Sequence, residues 1–85
     1  MRLLWNEQSW EDYCYWQEKD RRMVKRINAL LKDMQRNPYE GIGKPEALKG
    51  SLSGWWSRRI DGEHRIVYRL QGKSIVIASC RGHYA

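Results

Sequence analysis

The residues with the clearest chemical potential in this sequence are a loop carboxylate and two residues near the C-terminal end. Glu46 lies in a glycine-bounded loop between Lys44-Pro45 and Lys49, and a carboxylate held over basic side chains could act as a general base. His83 could donate a proton near neutral pH, and Tyr84 could stack on a nucleic-acid base or orient a phosphate. Simpler interpretations exist, because loop acids often serve as salt-bridge partners and terminal histidines are often incidental surface residues.

Four arginines extend this chemistry, because side-chain alternation puts them on one face of a predicted C-terminal sheet. We expect both turns of that sheet to be three-residue loops with left-handed glycines, so that odd positions pair with odd positions. Besides Val67, Ile75, Ile77 and Ser79, the odd face then carries Arg59, Arg65, Arg69, Arg81 and His83. Crowded cations favour a polyanion as countercharge, so this face is a candidate phosphate-binding surface. Alternatively, the arginines are solvated residues that protect the strands from aggregation.

The even face of the same sheet is apolar and should be covered by helices. It collects Trp56, Ile66, Tyr68, Leu70, Val76, Ala78 and Cys80. His64 has the same parity, so we interpret it as a structural histidine rather than a catalytic one.

Two helices precede the sheet. Residues 1–5 are apolar and predict a strand, and Asn6 is a good cap for a helix over 7–18. On that first helix one face carries Trp10, Tyr13, Cys14 and Gln17. Asp20 caps a second helix that ends at Asn37-Pro38, with apolar residues at three- and four-residue steps: Met23, Val24, Ile27, Leu30, Leu31 and Met34. The short connection predicts an antiparallel helix hairpin.

Residues 38–54 contain too many glycines and prolines for a regular element and predict a long loop. Three strands follow, over 55–60, 64–70 and 74–81, separated by Asp61-Gly62-Glu63 and Gln71-Gly72-Lys73. The expected fold is therefore α+β: an N-terminal strand and an antiparallel helix hairpin packed on a twisted antiparallel β-sheet. With 85 residues, it should form a single domain over 1–85.

Composition restricts the function classes. Ten arginines and six lysines against ten acids give a net charge of +6, which favours an anionic partner such as nucleic acid or an acidic protein segment. The sequence shows no membrane span or secretory signal, and we expect a cytoplasmic protein. Two cysteines and two histidines without ligand spacing predict no metal site, and the absence of a phosphate-binding glycine loop predicts no nucleotide cofactor.

Three segments of the sequence resemble the YoeB toxin family of the RelE superfamily. They are LLWNEQSWEDYCYWQEKDRRMVKRINALLKD, GIGKPEALKGSLSGWWSRRIDGEHRIVY and SCRGHY, and together they cover most of the chain. The resemblance implies a toxin of a type II toxin-antitoxin system that cleaves mRNA on the ribosome. It also implies a YefM-like antitoxin, assembly as a homodimer or toxin-antitoxin complex, and contact with operator DNA only through the antitoxin.

Matched residue by residue, the family's catalytic groups fall on Glu46, Arg65, His83 and Tyr84. Basic residues that help at the same site match Lys49 and Arg59, and the candidate phosphate-binding surface adds Arg81 as a substrate contact. Gly50-Ser51 and the extra Ala85 depart from the family pattern.

Two main hypotheses from different classes follow. The first is a metal-independent endoribonuclease in which Glu46 activates a ribose 2′-hydroxyl, Arg65 stabilises the charged phosphate and His83 protonates the leaving oxygen. The second is a non-catalytic RNA- or DNA-binding module that acts as a transcriptional co-repressor with its antitoxin. A structural adaptor, a third class, leaves the clustered arginines unexplained.

Overall fold

The computed structural model describes residues 1–82, and in it two helices pack on a five-stranded sheet. The strands are β1 (Arg2–Trp5), β2 (Glu46–Ala47), β3 (Trp56–Arg59), β4 (Arg65–Gln71) and β5 (Ser74–Ser79). The helices are α1 (Glu7–Lys19) and α2 (Arg21–Arg36), and a short 3₁₀ helix spans Gly50–Leu52. The α+β class and the helix hairpin are confirmed. Within residues 1–82, neither helix is long and apolar enough to cross a membrane.

The helix hairpin is defined by its caps. Asn6 Oδ1 accepts a hydrogen bond from the Ser9 amide at 2.7 Å, and Ser9 Oγ accepts one from the Asn6 amide at 3.0 Å, which forms a reciprocal capping box. Asp20 ends α1 and caps α2 by accepting a hydrogen bond from the Arg22 amide. The predicted cap residues and the end of α2 before Asn37 are confirmed.

The buried face of α1 differs from the prediction. Ser9, Asp12 and Trp16 are buried, whereas Trp10 is 48% exposed. Hydrogen bonds explain why this face of α1 is buried. Asp12 Oδ2 accepts a hydrogen bond from the Cys80 amide, and Trp16 Nε1 donates one to the Cys80 carbonyl. An apolar periodicity cannot identify a helix face that docks through hydrogen bonds to a strand end.

The sheet order is β1-β5-β4-β3-β2. The three expected C-terminal strands form an antiparallel meander, but β1 runs parallel to β5, so the whole sheet is mixed. The loop prediction for 38–54 is wrong in two places, because the segment contains β2, which pairs antiparallel with β3, and the 3₁₀ helix. Short elements of two or three residues leave no periodic signal.

The predicted register is confirmed between β3 and β4, where Trp56 pairs with Tyr68 and Arg59 with Arg65. Gly62 in the connecting turn does not have the positive φ that we expected. Instead, Asp61 Oδ1 accepts hydrogen bonds from the amides of Glu63 and His64, which lowers the pKa of Asp61, chiefly through the bond from His64.

Between β4 and β5 the predicted register is wrong. Gln71 pairs with Ser74 across a two-residue turn whose first residue, Gly72, has φ +60, so even positions face odd ones. Ile75 and Ile77 therefore enter the core, where we had placed Val76 and Ala78. A bulge at Ala78 restores the expected orientation, since Val67 pairs with Ser79 and Cys80 is buried.

Candidate active site

A cleft of about 160 Å³ opens on the side of the sheet that carries the odd positions of β3 and β4. Its lining residues are Lys44, Pro45, Glu46, Ser57, Arg59 and Arg65. Glu46 pairs with Ser57, and Arg59 pairs with Arg65, and directly opposed residues in antiparallel strands point to the same face. The structure thus brings together three of the predicted site residues: Glu46, Arg59 and Arg65.

The electrostatics of the cleft favour an anion. Arg59 and Arg65 are directly opposed, and like charges at such positions destabilise a sheet unless a ligand or solvent compensates. Lys44 adds a third cation at the rim and Glu46 a single carboxylate. A carboxylate beside several cations can accept a proton from a bound group, while the cations hold a phosphate.

Hydrogen bonds from Arg58 hold the loop over residues 37–42, which leads to Glu46. Arg58 was not identified from the sequence. The Arg58 side chain is fully buried, and its guanidinium donates to Asp33 Oδ2 at 2.6 Å. It also donates to the carbonyls of Asn37, Glu40 and Ile42 at 2.6, 2.8 and 3.1 Å and to Tyr68 Oη at 3.1 Å. Position 58 has the same parity as the helix-facing residue Trp56, and this parity is the sequence signal that could have identified Arg58.

Further contacts tie this loop to the cleft. The Tyr68 hydroxyl donates to the Pro38 carbonyl at 2.7 Å, and the Arg59 amide donates to the Gly43 carbonyl at 2.6 Å. Gly43 has φ +81, and a Cβ there would also lie 3.1 Å from the backbone carbonyl oxygen of Arg59, so the position favours glycine. The segment before Glu46 is therefore a fixed element rather than a loose loop.

The ion pair beneath the loop also changes titration behaviour. The hydrogen bond from Arg58 is the main reason why the pKa of Asp33 lies below its ordinary value, and the Ile42 amide lowers it further. Burial raises the pKa of Tyr68, although the neighbouring Arg58 opposes that shift. Both groups thus keep the protonation states that the loop contacts need at neutral pH.

The described chain ends beside the cleft. The Arg65 amide donates to the Gly82 carbonyl at 2.8 Å, and the Gly82 amide donates to His64 Nδ1 at 2.7 Å. The His64 ring packs edge-on against Trp16 with 4.8 Å between ring centroids. The structural role predicted for His64 is confirmed. The predicted site residues His83 and Tyr84, like Ala85, lie outside the described residues.

The remaining predicted residues lie elsewhere. Lys49 precedes the 3₁₀ helix, and its side chain does not line the cleft. Arg81 lies beyond β5, which ends at Ser79 rather than at 81, and its guanidinium sits 3.6 Å from the centre of the Tyr15 ring on α1. Its predicted place on the arginine face is thus replaced by a stacking contact with the helix layer. Over residues 1–82, no three metal-ligating side chains gather at one point.

Comparison with known proteins agrees with this arrangement. A family model described as the YoeB-like toxin of bacterial type II toxin-antitoxin systems matches residues 5–84. Toxin YoeB of Escherichia coli (strain K12) is 61% identical over 84 residues, which cover 99% of this chain and 100% of the relative.

Solved structures give the same result. A YoeB/ParE toxin from Agrobacterium tumefaciens superposes with a TM-score of 0.94 at 50% identity and covers 99% of this chain and 100% of that chain. The toxin in a YoeB-YefM complex from Staphylococcus aureus has a TM-score of 0.91 at 50% identity, with 99% and 98% covered. On sequence and fold together, the chain belongs to the YoeB-like toxins of bacterial type II toxin-antitoxin systems.

Proposed function

We propose that this toxin is an endoribonuclease that cleaves mRNA at the ribosome and so inhibits translation. The observation that carries the proposal is the convergence of Glu46, Arg59 and Arg65 in one cleft, where an acid and two guanidinium groups come from three different strands. A pure phosphate-binding surface has no need of the carboxylate, whereas acid-base cleavage of RNA requires a base beside the phosphate.

The chemistry assigns each group a role. Glu46 takes the proton of a ribose 2′-hydroxyl, whose oxygen attacks the adjacent phosphorus atom and displaces the 5′-oxygen of the next nucleotide. Arg65, with Arg59 beside it, stabilises the additional negative charge on the phosphoryl oxygens. His83 returns a proton to the departing 5′-oxygen, and Tyr84 orients the base or phosphate.

The anchoring of Gly82 supports the roles of His83 and Tyr84. Gly82 immediately precedes His83, and both of its backbone polar groups are bound, one by Arg65 and one by His64. Gly82 is thereby held beside Arg65, a residue of the cleft, and it is the residue before the proposed acid in the sequence. Lys49 and Arg81 are proposed as RNA contacts outside the cleft, where long cationic side chains can reach the phosphate backbone.

The proposed partners follow from family and charge. The Staphylococcus aureus relative forms a complex with YefM, and we propose a YefM-like antitoxin for this chain, with assembly as a homodimer or a toxin-antitoxin hetero-oligomer. A net charge of +6 suits both RNA and an acidic antitoxin segment. The activity belongs in the cytoplasm, and operator DNA is contacted through the antitoxin.

The test is to substitute Glu46→Gln and compare it with Glu18→Gln, a matched change on an exposed position of α1. With purified protein and translating ribosomes, mapped mRNA ends should show cleavage by the wild type and the control. The Glu46→Gln variant should lose about 10²–10⁴-fold in rate, as expected for a proton-transfer group.

The same experiment separates the alternative. A non-catalytic binding module would produce no cleavage in the wild type, and loss of the Glu46 charge would only strengthen its binding to RNA. Full cleavage by a folded Glu46→Gln protein would remove Glu46 as the base.

A further inference from the structure

A second basic and aromatic feature lies on the cleft side of the sheet, outside the cleft itself. The Arg69 guanidinium carbon lies 4.7 Å from the centre of the Trp55 ring. Trp56 pairs with Tyr68, so the preceding residue, Trp55, is opposite Arg69. Arg69 is exposed and Trp55 is partly exposed. The pair thus presents a cation on an aromatic platform to solvent.

The position of the pair relative to the cleft is set by the strands. Arg69 follows Arg65 by four residues on β4, a separation of about 13 Å at about 3.3 Å per residue. Glu46 and Ser57 are level with Val67, midway between these two arginines. A single strand that is bound at Arg65 and runs along β4 past Glu46 would therefore bring a neighbouring nucleotide to Arg69.

We propose that Trp55 and Arg69 form a second nucleotide subsite for single-stranded nucleic acid, next to the cleft that binds the scissile phosphate. The inference rests on the proposed function, because it assigns a neighbouring part of the same substrate. The guanidinium plane stacks on a base, and its edge donates to a phosphate oxygen. Trp55 holds that plane in place, so less side-chain freedom is lost on binding.

The chemistry favours nucleic acid over a protein partner. A guanidinium plane beside an aromatic ring offers both a stacking surface and a fork of donors, which matches a base attached to a phosphate. An acidic peptide would use only the charge. Because every base has a stacking face, the subsite should contribute affinity with little sequence preference.

The experiment measures binding of uncleavable all-2′-deoxy oligonucleotides of two lengths, one that fills only the cleft and one that extends over β4. Arg69→Gln should weaken binding of the longer strand about 5- to 100-fold, the range of one stacked base, and leave the shorter strand unchanged. Arg22→Gln is the matched control, because Arg22 is on α2 with a side chain 94% exposed and carries the same charge.

Trp55 provides the second variant. Trp55→Phe should keep most of the affinity for the longer strand, whereas Trp55→Ala should lose as much as Arg69→Gln does. Since Arg69 is exposed, its variant tests the proposal even where Trp55→Ala fails to fold.

Three outcomes would overturn the subsite. Equal losses in Arg69→Gln and Arg22→Gln would mean general electrostatic attraction, and equal losses for both strand lengths would place Arg69 in the cleft. Loss of antitoxin binding with unchanged nucleic-acid binding would assign the pair to a protein partner. If the wild type binds strands as described but cuts no mRNA, the subsite stands and the nuclease function fails.

Discussion

The Nδ1 atom of His64 accepts a hydrogen bond from the backbone amide of Gly82 at 2.7 Å, while the neighbouring Arg65 amide donates to the Gly82 carbonyl at 2.8 Å. Arg65, the first residue of β4, and His64, the residue before it, thus bind both backbone polar groups of Gly82. Gly82 has φ +76, a conformation suited to glycine, so the backbone at Gly82 is specified by both sequence and contacts. We infer that His64 acts as a positioning residue through Gly82. Arg65 also lines the cleft.

Replacing His64 should therefore impair the chemical step more than RNA binding. His64→Leu removes the acceptor for the Gly82 amide, and we expect kcat for mRNA cleavage to fall by about 100-fold, as for a catalytic group displaced by about 1 Å. KM should change little, because the phosphate contacts remain. Single-turnover and steady-state cleavage assays measure both values.

His64→Asn is the matched control, because its side-chain oxygen can lie near the position of Nδ1. It should recover most of the lost rate at similar thermal stability. A rate equal to that of the wild type in folded His64→Leu would contradict the positioning role.

The Asp33–Arg58 pair predicts a pH dependence of stability. Because the pKa of Asp33 is lowered in the folded protein, its contribution is present above the unfolded pKa and is lost as the pH falls through the folded value. The loss therefore occurs below about pH 4. In urea titrations over a pH series, Asp33→Asn should be less stable than the wild type at neutral pH. The difference in their free energies of unfolding should become smaller at acid pH.

Arg58→Met tests the same pair from the other side. It removes the donor to three loop carbonyls, so mRNA cleavage should fall even where the helices and sheet remain folded. Arg36→Met is the control, because Arg36 also lies within 4.0 Å of Asp33 but its side chain is 83% exposed.

The pH dependence has its own contradicting outcome. If the free energies of unfolding of the wild type and Asp33→Asn differ by the same amount at neutral and acid pH, the Asp33 carboxylate does not cause it.

The sequence predicted part of the cleft lining and the fold class, but not every face of the sheet. Glu46 could be selected as an acid among loop cations, and Arg59 and Arg65 by β3–β4 parity; all three line one cleft. The β5 face could not be predicted, because a two-residue turn at Gly72 and a bulge at Ala78 each shift parity by one.

Arg58 and Asp12 show a second limit of sequence reasoning. Both are charged residue types that are buried because distant backbone groups bind them: loop carbonyls for Arg58 and the Cys80 amide for Asp12. Such partners are separated along the chain by 21 and 68 residues, so no local pattern indicates them. Long-range polar contacts of this kind appear only in the folded structure.

The two cysteines should react at very different rates. Burial, together with the nearby Asp12 carboxylate, raises the pKa of the Cys80 thiol to about 12, whereas Cys14 is partly exposed. Because the thiolate is the reactive form, a thiol reagent at neutral pH should modify Cys14 quickly and Cys80 only when the protein unfolds. Mass spectrometry of digests from native and urea-treated protein identifies the sites. Rapid labelling of Cys80 in the native protein would show that its packing against α1 opens readily.

Antitoxin binding should depend on salt. If an acidic segment of the antitoxin covers the cations of the cleft, its affinity should fall as ionic strength rises, since exposed charges are screened. An Arg59→Gln variant should show a shallower salt dependence than the wild type in titrations with purified antitoxin. An Arg22→Gln variant, altered on α2, should follow the wild-type curve.

The ends of the RNA products report which oxygen attacks the phosphate. Glu46 is the carboxylate that lines the cleft, and the attacking group in our proposal is the substrate's own 2′-hydroxyl. Cleavage should then leave a 2′,3′-cyclic phosphate, or the 3′-phosphate formed from it, on the upstream fragment and a 5′-hydroxyl on the downstream one. End-specific ligation and mass spectrometry distinguish these from 5′-phosphate ends.

A matched substrate makes the same test sharper. Replacing only the ribose upstream of the cut with 2′-deoxyribose should abolish cleavage but preserve binding, because the arginine contacts to phosphate are unchanged. The reaction should also continue when divalent ions are chelated under conditions that keep the ribosome intact. Efficient cutting of the deoxy substrate, or recovery of 5′-phosphate ends, would make water the nucleophile and remove the roles proposed for Glu46 and His83.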